Sequence, residues 1–129
     1  MIARRALRSA SLLIAHADHQ RIAAVRRKRY LRWQQAVAGL AGVRPWRTDY
    51  PSSLVPYVYP LVLTRPEEQF RALKYAGVAV WRWDQLAVSG CRVSARLALE
   101  LVQMPCQHTL SDAQFEALVA RFCSVIEAT

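Results

Sequence analysis

The side chains with the clearest capacity for chemistry lie in one short run, Trp81-Arg82-Trp83-Asp84. The residues Val78 to Trp83 predict a strand, which we expect to be the central strand of a sheet and to end in a loop. Alternation along a strand directs both Trp side chains to one face and Arg82 to the other. Two interpretations stay open: core tryptophans with an arginine at the rim, or an aromatic and cationic wall for an anionic ligand, since a guanidinium offers paired donors.

No other polar residues complete a catalytic or metal site. Cys106 and His108 lie close together, but no third group is evident that would orient such a thiolate–imidazole pair. The three cysteines have no zinc or redox spacing, and His16, Asp18 and His19 have no transition-metal spacing. We therefore predict no catalytic and no metal-binding residue in this chain. Free thiols are typical of a reducing, cytoplasmic setting.

The positive charge of the chain is concentrated in its first part. The net charge is +9, and residues 1–50 contain 11 Lys and Arg residues against two Asp residues. Within the predicted helix, Arg29 lies in the middle of the apolar stripe that contains Trp33, with Arg26 close by. A guanidinium there needs a carboxylate, a carbonyl or an interface, unless it reaches water along its stem. The sharper interpretation places Arg26, Arg29 and Trp33 at an interface with another domain or subunit.

The same basic helix allows two further interpretations. A run of positive charge is most often a solvated helix face, but it is also found where proteins contact nucleic acid or an acidic partner. Aromatic residues beside the charges would allow bases to stack on them. The solvated face is the first interpretation, and between the two partners an acidic domain is favoured over nucleic acid. No apolar run approaches the ~20 residues that span a bilayer, so no membrane partner is expected.

Hydrophobic periodicity divides the chain into a basic helical segment, residues 1–42, and a small α/β domain, residues 43–129. Asp18 is a candidate cap for a long helix. From Val43 onwards the predicted order is β-β-α-β-α-β-α. Two candidate capping boxes, Thr64 to Glu67 and Ser111 to Gln114, mark the starts of two of these helices. The fold class expected is α/β, with a long N-terminal helix followed by a small, mainly antiparallel sheet packed against helices.

A resemblance adds a function to this outline. The run Met104-Pro105-Cys106-Gln107-His108-Thr109-Leu110-Ser111-Asp112 is similar to a Leu-Pro-x-x-x-x-Leu-Ser-Asp segment that opens a last helix. Before this run, the chain from Gly77 onwards has a glycine, a strand, a loop and a helix, in the order found before that segment. In these features residues 17–128 resemble the C-terminal small domain of the DegT/DnrJ/StrS family, the sugar aminotransferases that depend on pyridoxal phosphate (PLP).

The resemblance implies a fold-type-I enzyme that works as a homodimer. Such an enzyme moves an amino group from an amino acid to a keto sugar carried on a nucleotide. A separate large domain holds PLP on a lysine, and the loop after the Trp81–Trp83 strand approaches the substrate. Neither lysine of this chain, Lys28 or Lys74, matches the lysine motif of the family. We therefore expect a fragment that binds no cofactor, is inactive alone, and needs a missing large domain or a second subunit.

Two alternatives from other functional classes stay open. The chain could be a stand-alone binding module that uses Trp81, Arg82 and Trp83 as its ligand wall. It could also be a basic protein that binds nucleic acid or an acidic surface through residues 4–32. The sequence does not say which sugar or which amino donor the family interpretation would involve.

Overall fold

The N-terminal segment forms two helices rather than one. The computed structural model describes residues 8–83 and 90–129. Helix α1 spans Arg8–His16 and helix α2 spans His19–Val37. The side chain of Asp18 accepts a hydrogen bond from the backbone N–H of Arg21 at 2.9 Å, which confirms the predicted cap of the long helix. A capping oxygen of this kind satisfies one of the free N–H groups in the first turn.

The remaining elements follow in the predicted order, with helices and strands alternating after an initial strand pair. Their bounds are β1 Val43–Pro45, β2 Val58–Leu63, α3 Pro66–Tyr75, β3 Trp81–Arg82, α4 Arg92–Glu100, β4 Leu101–Pro105 and α5 Asp112–Ala128. Together the helices and the sheet confirm the α/β class.

The four strands form one sheet in the order β1-β2-β4-β3, and each neighbouring pair is antiparallel. Val43 faces Leu63 across the first pair, and Trp81 faces Gln103 across the last. The expectation of a mainly antiparallel sheet is confirmed. The expectation that the Trp81 strand is central is wrong, because within the described residues β3 pairs with β4 alone and lies at the edge of the sheet.

Pro60 is accommodated near the open end of an interior strand. Its carbonyl accepts a hydrogen bond from the N–H of Trp46 at 3.2 Å, just beyond the last residue of β1. A residue in a strand directs its N–H and its carbonyl to the same side. The position of the missing proline N–H therefore also faces β1 and not β4. The ladder to β4 therefore loses no hydrogen bond at Pro60.

The core lies on one face of the sheet, where α2, α3 and α5 pack. Tyr59, Leu61 and Leu63 of β2 contribute to this core with Val102 and Met104 of β4. The helices add the following fully or nearly fully buried side chains: Trp33 and Val37 from α2, Leu73 from α3, and Phe115, Val119, Phe122 and Ile126 from α5. Helix α2 of the N-terminal segment thus shares one core with the sheet and with α3 and α5. No helix within the described residues is long and apolar enough to cross a membrane.

The two predicted capping boxes have different outcomes. The box at Ser111 is confirmed, because Ser111 Oγ accepts from the N–H of Gln114 and the Gln114 side chain accepts from the N–H of Ser111. The box at Thr64 is wrong. The residue before helix α3 is Arg65, and Thr64 Oγ1 instead donates to the carbonyl of Gly42 at 2.9 Å.

Gly42 explains why the hydroxyl of Thr64 is directed away from the helix. The Gly42 carbonyl also accepts from Gln69 Nε2 at 2.9 Å and from the N–H of Thr64 at 3.0 Å. Its φ of +87° favours glycine, and a Cβ at this position would lie 2.7 Å from Gln69 Nε2. The turn after α2 is therefore fastened to the start of α3 by three donors on one carbonyl.

Candidate functional site

The strand β3 is positioned by the short connection that follows α3. Gly77 has a φ of +70°, and the N–H of Val78 donates to the carbonyl of Leu73 at 2.9 Å. The side chains of Val78 and Val80 are buried, and their burial sets the register in which the next residues pair with β4. Trp81 and Arg82 then pair with Gln103 and Val102 of β4, so both residues lie at the edge of the sheet, and the side chain of Arg82 contacts α3.

The three predicted substrate-side residues have different surroundings. Trp81 is 50% exposed, whereas Arg82 and Trp83 are half-buried. Arg82 Nη2 donates to the Pro66 carbonyl at 3.1 Å, and Arg82 Cζ lies 4.2 Å from the ring centroid of Phe70. Arg82 is therefore fastened to α3. Asp84, the last residue of the predicted run, lies outside the described residues.

The predicted interface residues Arg29 and Trp33 make their contacts inside this chain. Arg29 is 2% exposed; its Nη1 donates to the Gln107 carbonyl and its Nη2 donates to the Leu110 carbonyl at 2.6 Å. Trp33 is fully buried and donates from Nε1 to the Pro105 carbonyl at 2.9 Å. The partner that the sequence required for Arg29 is thus the turn between β4 and α5.

Arg26 keeps part of its side chain at the surface. Its Cζ lies 5.5 Å from the ring centroid of Tyr57, which is 72% exposed, while its Nε is buried without a hydrogen-bond partner. Next to it, Arg27 Nε donates to the Leu54 carbonyl at 3.1 Å. Leu54 is also exposed. Arg26, Arg27, Leu54 and Tyr57 form one mixed surface, which we call the Arg26 patch.

Much of the charge on the basic helix is paired within the chain. Lys28 Nζ lies 3.1 Å from Asp112 Oδ2, and Arg32 Nη2 lies 2.9 Å from Glu116 Oε2. The hydrogen bond from Lys28, followed by the charges of Lys28 and Arg29, lowers the pKa of Asp112. These cations hold α2 against the start of α5, so they contribute less to a free basic surface than the sequence indicates.

Cys106 has the environment of a structural thiol. It is fully buried, and burial raises the pKa of its thiol to about 12 despite the opposing charges of Arg26 and Arg29. A nucleophilic cysteine needs the thiolate at neutral pH. Burial therefore opposes a catalytic role for Cys106, in agreement with the absence of a third orienting group in the sequence.

We predict from this thiol that the chain loses stability in mild alkali. A pKa raised from 9.0 to about 12 means that the unfolded state releases its proton first. The Cys106 contribution is complete well below pH 9 and falls by roughly 1 kcal/mol between pH 9 and pH 10. Urea unfolding at both pH values under reducing conditions would measure this loss. A Cys106→Ala variant should lack this part of the fall, whereas Cys91→Ala, at an exposed position, should retain it. Equal slopes in the two variants would contradict the prediction.

The residues of this chain do not fit the PLP site that the resemblance implies. Such a site needs a lysine in an enclosed pocket to form the imine. The side chain of Lys28 is 72% exposed and is paired with Asp112. Lys74 lies on the exposed face of α3 and donates to the Val80 carbonyl at 3.2 Å. Within the described part of the chain no group of three His, Cys, Asp or Glu residues could hold a metal ion.

Comparison with known proteins identifies the fold. No family model matches the sequence, and no curated protein matches it. Among solved structures, the aminotransferase TlmJ from Streptoalloteichus hindustanus superposes with a TM-score of 0.69 at 21% sequence identity, covering 83% of this chain. The chain has the fold of one part of a sugar aminotransferase. The putative sugar aminotransferase Spr1654 from Streptococcus pneumoniae, solved in its PLP form, gives a TM-score of 0.66 at 16% identity over 83% of this chain.

A third solved structure matches over a similar share of this chain. The sugar aminotransferase CalS13 from Micromonospora echinospora has a TM-score of 0.62 at 20% identity and covers 81% of this chain. The match spans 32% of TlmJ, 32% of Spr1654 and 31% of CalS13. The chain therefore spans about a third of the length of these solved structures. The expected fold of a small aminotransferase domain is confirmed, since the sheet, the helices and this coverage agree.

Proposed function

We propose that this chain is the part of a PLP-dependent sugar-aminotransferase-like protein that completes the substrate side of the active site. The observation that carries the proposal is the shared fold over 83% of this chain and 32% of TlmJ. Residues that would hold PLP are sought in the remaining two thirds of such a protein, because Lys28 and Lys74 do not fit that role. The complete protein would move an amino group from an amino acid to a keto sugar on a nucleotide, working as a cytoplasmic homodimer.

Within this proposal the residues of the chain bind and orient rather than react. Trp81, Arg82 and Trp83 lie at an edge of the sheet, and in the complete protein these three side chains would face the substrate. The half-exposed indole of Trp81 offers an apolar surface to a sugar ring. The guanidinium of Arg82 is held by Pro66 and Phe70 and so would contribute a fixed positive charge. PLP, when bound by the cofactor domain, supplies the amino-group chemistry.

The contact with the cofactor domain is proposed at the Arg26 patch. Arg29 and Trp33 are occupied inside the chain, so of the predicted interface residues only Arg26 retains an exposed side. Its side chain is only half-buried, so a carboxylate from an adjoining domain would pair with the exposed part of its guanidinium. An acidic partner would also balance the net charge of +9. The comparisons do not favour the stand-alone module or the nucleic-acid interpretation.

The mass of the native protein tests the proposal. An antibody raised against α5, residues 112–128, would detect the chain in denaturing gels of its source cell, and borohydride would fix PLP onto lysine in the captured material. We expect PLP on a lysine outside residues 1–129, either in a band several-fold larger than 14.7 kDa or in a co-purifying chain. A 14.7 kDa species with no PLP-bearing partner would overturn the proposal. A stoichiometric adduct on Lys74 would contradict the assignment of the cofactor site to another domain.

A further inference from the structure

A second candidate binding site lies on the outer side of α3. An open groove of ≈ 500 Å³ is lined by Glu67, Phe70, Arg71, Lys74, Tyr75 and Arg82. Five of these residues recur at helical spacing on one stripe of α3, and Arg82 joins them from β3. The volume lies within the range of small-molecule pockets, about 300–1,000 Å³. The groove shares Arg82 with the predicted substrate-side residues, but it is formed by this chain alone, so ligand binding in it can be tested apart from the proposed aminotransferase function.

The charges of the groove are unbalanced. Three cations, Arg71, Lys74 and Arg82, face a single carboxylate, Glu67. That carboxylate lies 3.8 Å from Arg82 Nη2 and its side chain is 69% exposed, so it neutralises the guanidinium poorly in water. Among the described residues, the ion pairs of the structure include none with Arg71 or Lys74. The groove therefore keeps a net positive charge of about two, by the rule that Arg and Lys are ionised at neutral pH.

Two of these cations are held in place by contacts that leave their charge available. Lys74 Nζ donates to the Val80 carbonyl at 3.2 Å, and Arg82 Nη2 donates to the Pro66 carbonyl at 3.1 Å. The Phe70 ring contacts both cations, with its centroid 4.2 Å from Arg82 Cζ and 5.9 Å from Lys74 Nζ. Carbonyls and an aromatic face orient a cation without cancelling it. Such ordering reduces the entropy lost when a ligand binds.

We propose that this groove, the α3–β3 groove, binds a small molecule that carries a phosphate or diphosphate group. A single carboxylate matches one guanidinium, whereas a phosphate group has a charge of about −1.5 to −2 near pH 7 and three acceptor oxygens. Arg82 and Arg71 offer forked donors, and Lys74 offers a point charge, a combination that suits phosphate oxygens. Tyr75, 87% exposed at the rim, provides a hydroxyl and a ring for the rest of the ligand.

Titration calorimetry with inorganic pyrophosphate tests the proposal on the full chain at low salt. We expect saturable one-to-one binding. The double variant Arg71→Gln/Lys74→Gln should weaken binding at least about 10-fold, because it removes two charge-assisted hydrogen bonds to the phosphate oxygens. Both side chains are exposed, so the variant should fold, which circular dichroism would check.

A charge-matched variant separates a site from general attraction. Arg44→Gln/Arg92→Gln removes two exposed cations elsewhere and should leave pyrophosphate affinity within about 2-fold, because distant surface charges are screened. Equal weakening in the two double variants would overturn the proposal, as would the absence of binding by the wild-type chain. Sulfate at the same concentration is the second probe, and an affinity equal to that of pyrophosphate would contradict the assignment to phosphate.

Discussion

Replacement of Arg29 by Met should destabilise the chain by about 3 kcal/mol, because hydrogen bonds to a charged group each contribute about 1.5–3 kcal/mol. The guanidinium bridges the carbonyls of Gln107 and Leu110 and stacks against Phe115, with Cζ 4.9 Å from the ring centroid. Methionine would fill much of the volume but would leave both carbonyls without this donor. The turn between β4 and α5 would then lose its connection to α2.

Two variants and urea unfolding followed by circular dichroism make this prediction specific. Arg32 lies one turn further along α2, but its partner Glu116 is exposed, so Arg32→Met should cost at most about 1 kcal/mol. Arg29→Lys retains the charge but not the fork that reaches two carbonyls at once, and it should fall between wild type and Arg29→Met. If Arg29→Met and Arg32→Met unfold at the same urea concentration, Arg29 does not anchor the turn.

Much of the architecture was accessible from the sequence because local signals specify it. Asp18 before α2 and the Ser111–Gln114 pair before α5 each satisfy free N–H groups within three residues of chain. Such motifs depend on spacing alone and are readable without the fold. The Thr64 motif has the same spacing and still fails, because the Gly42 carbonyl, 22 residues away, takes its hydroxyl. A local motif is reliable only where no distant acceptor competes.

The place of a strand within the sheet is not contained in its own residues. The run ending in Trp81 is hydrophobic and β-branched, as expected of an interior strand, yet β3 lies at the edge. Val78 and Val80 are buried before the strand begins, in the connection from α3. Their apolar character is therefore explained by contact with the core and not by pairing on both sides. The order of antiparallel strands depends on long-range pairing, which the periodicity of one strand does not encode.

The sequence predicts only part of the candidate site, because the contacts of its residues are also long-range. Arg82 was identified from its neighbours Trp81 and Trp83, but its actual contacts are Pro66 and Phe70, on a helix 12 to 16 residues earlier. The sequence indicates that Arg29 needs a carboxylate, a carbonyl or an interface unless it reaches water; Arg29 is buried, and its carbonyl partners lie 78 to 81 residues away. The residue type shows which interactions a side chain can make, whereas the identity of its partner depends on tertiary packing.

The second large effect is expected at Trp33, where Ala should reduce the free energy of unfolding by about 4 kcal/mol, the usual cost of removing a buried aromatic side chain. Trp33 is fully buried. Its ring meets Phe115 and Phe122 of α5 edge-on at 5.7 and 5.4 Å, and its Nε1 donates to the carbonyl of Pro105 at the end of β4. One side chain thus joins α2, β4 and α5.

Trp33→Phe and Trp46→Ala provide the controls for this prediction in thermal and urea unfolding. Phe would keep a ring against α5 and lose the bond to Pro105, so about 1–2 kcal/mol of the effect should remain. Trp46 is 41% exposed, and its replacement should cost less than about 1 kcal/mol, as surface substitutions usually do.

Since Trp33 connects α2 to the sheet and to α5, the wild-type chain should unfold in one transition. Two transitions, with Trp33→Ala affecting only the first, would show that the N-terminal helices fold apart from the sheet.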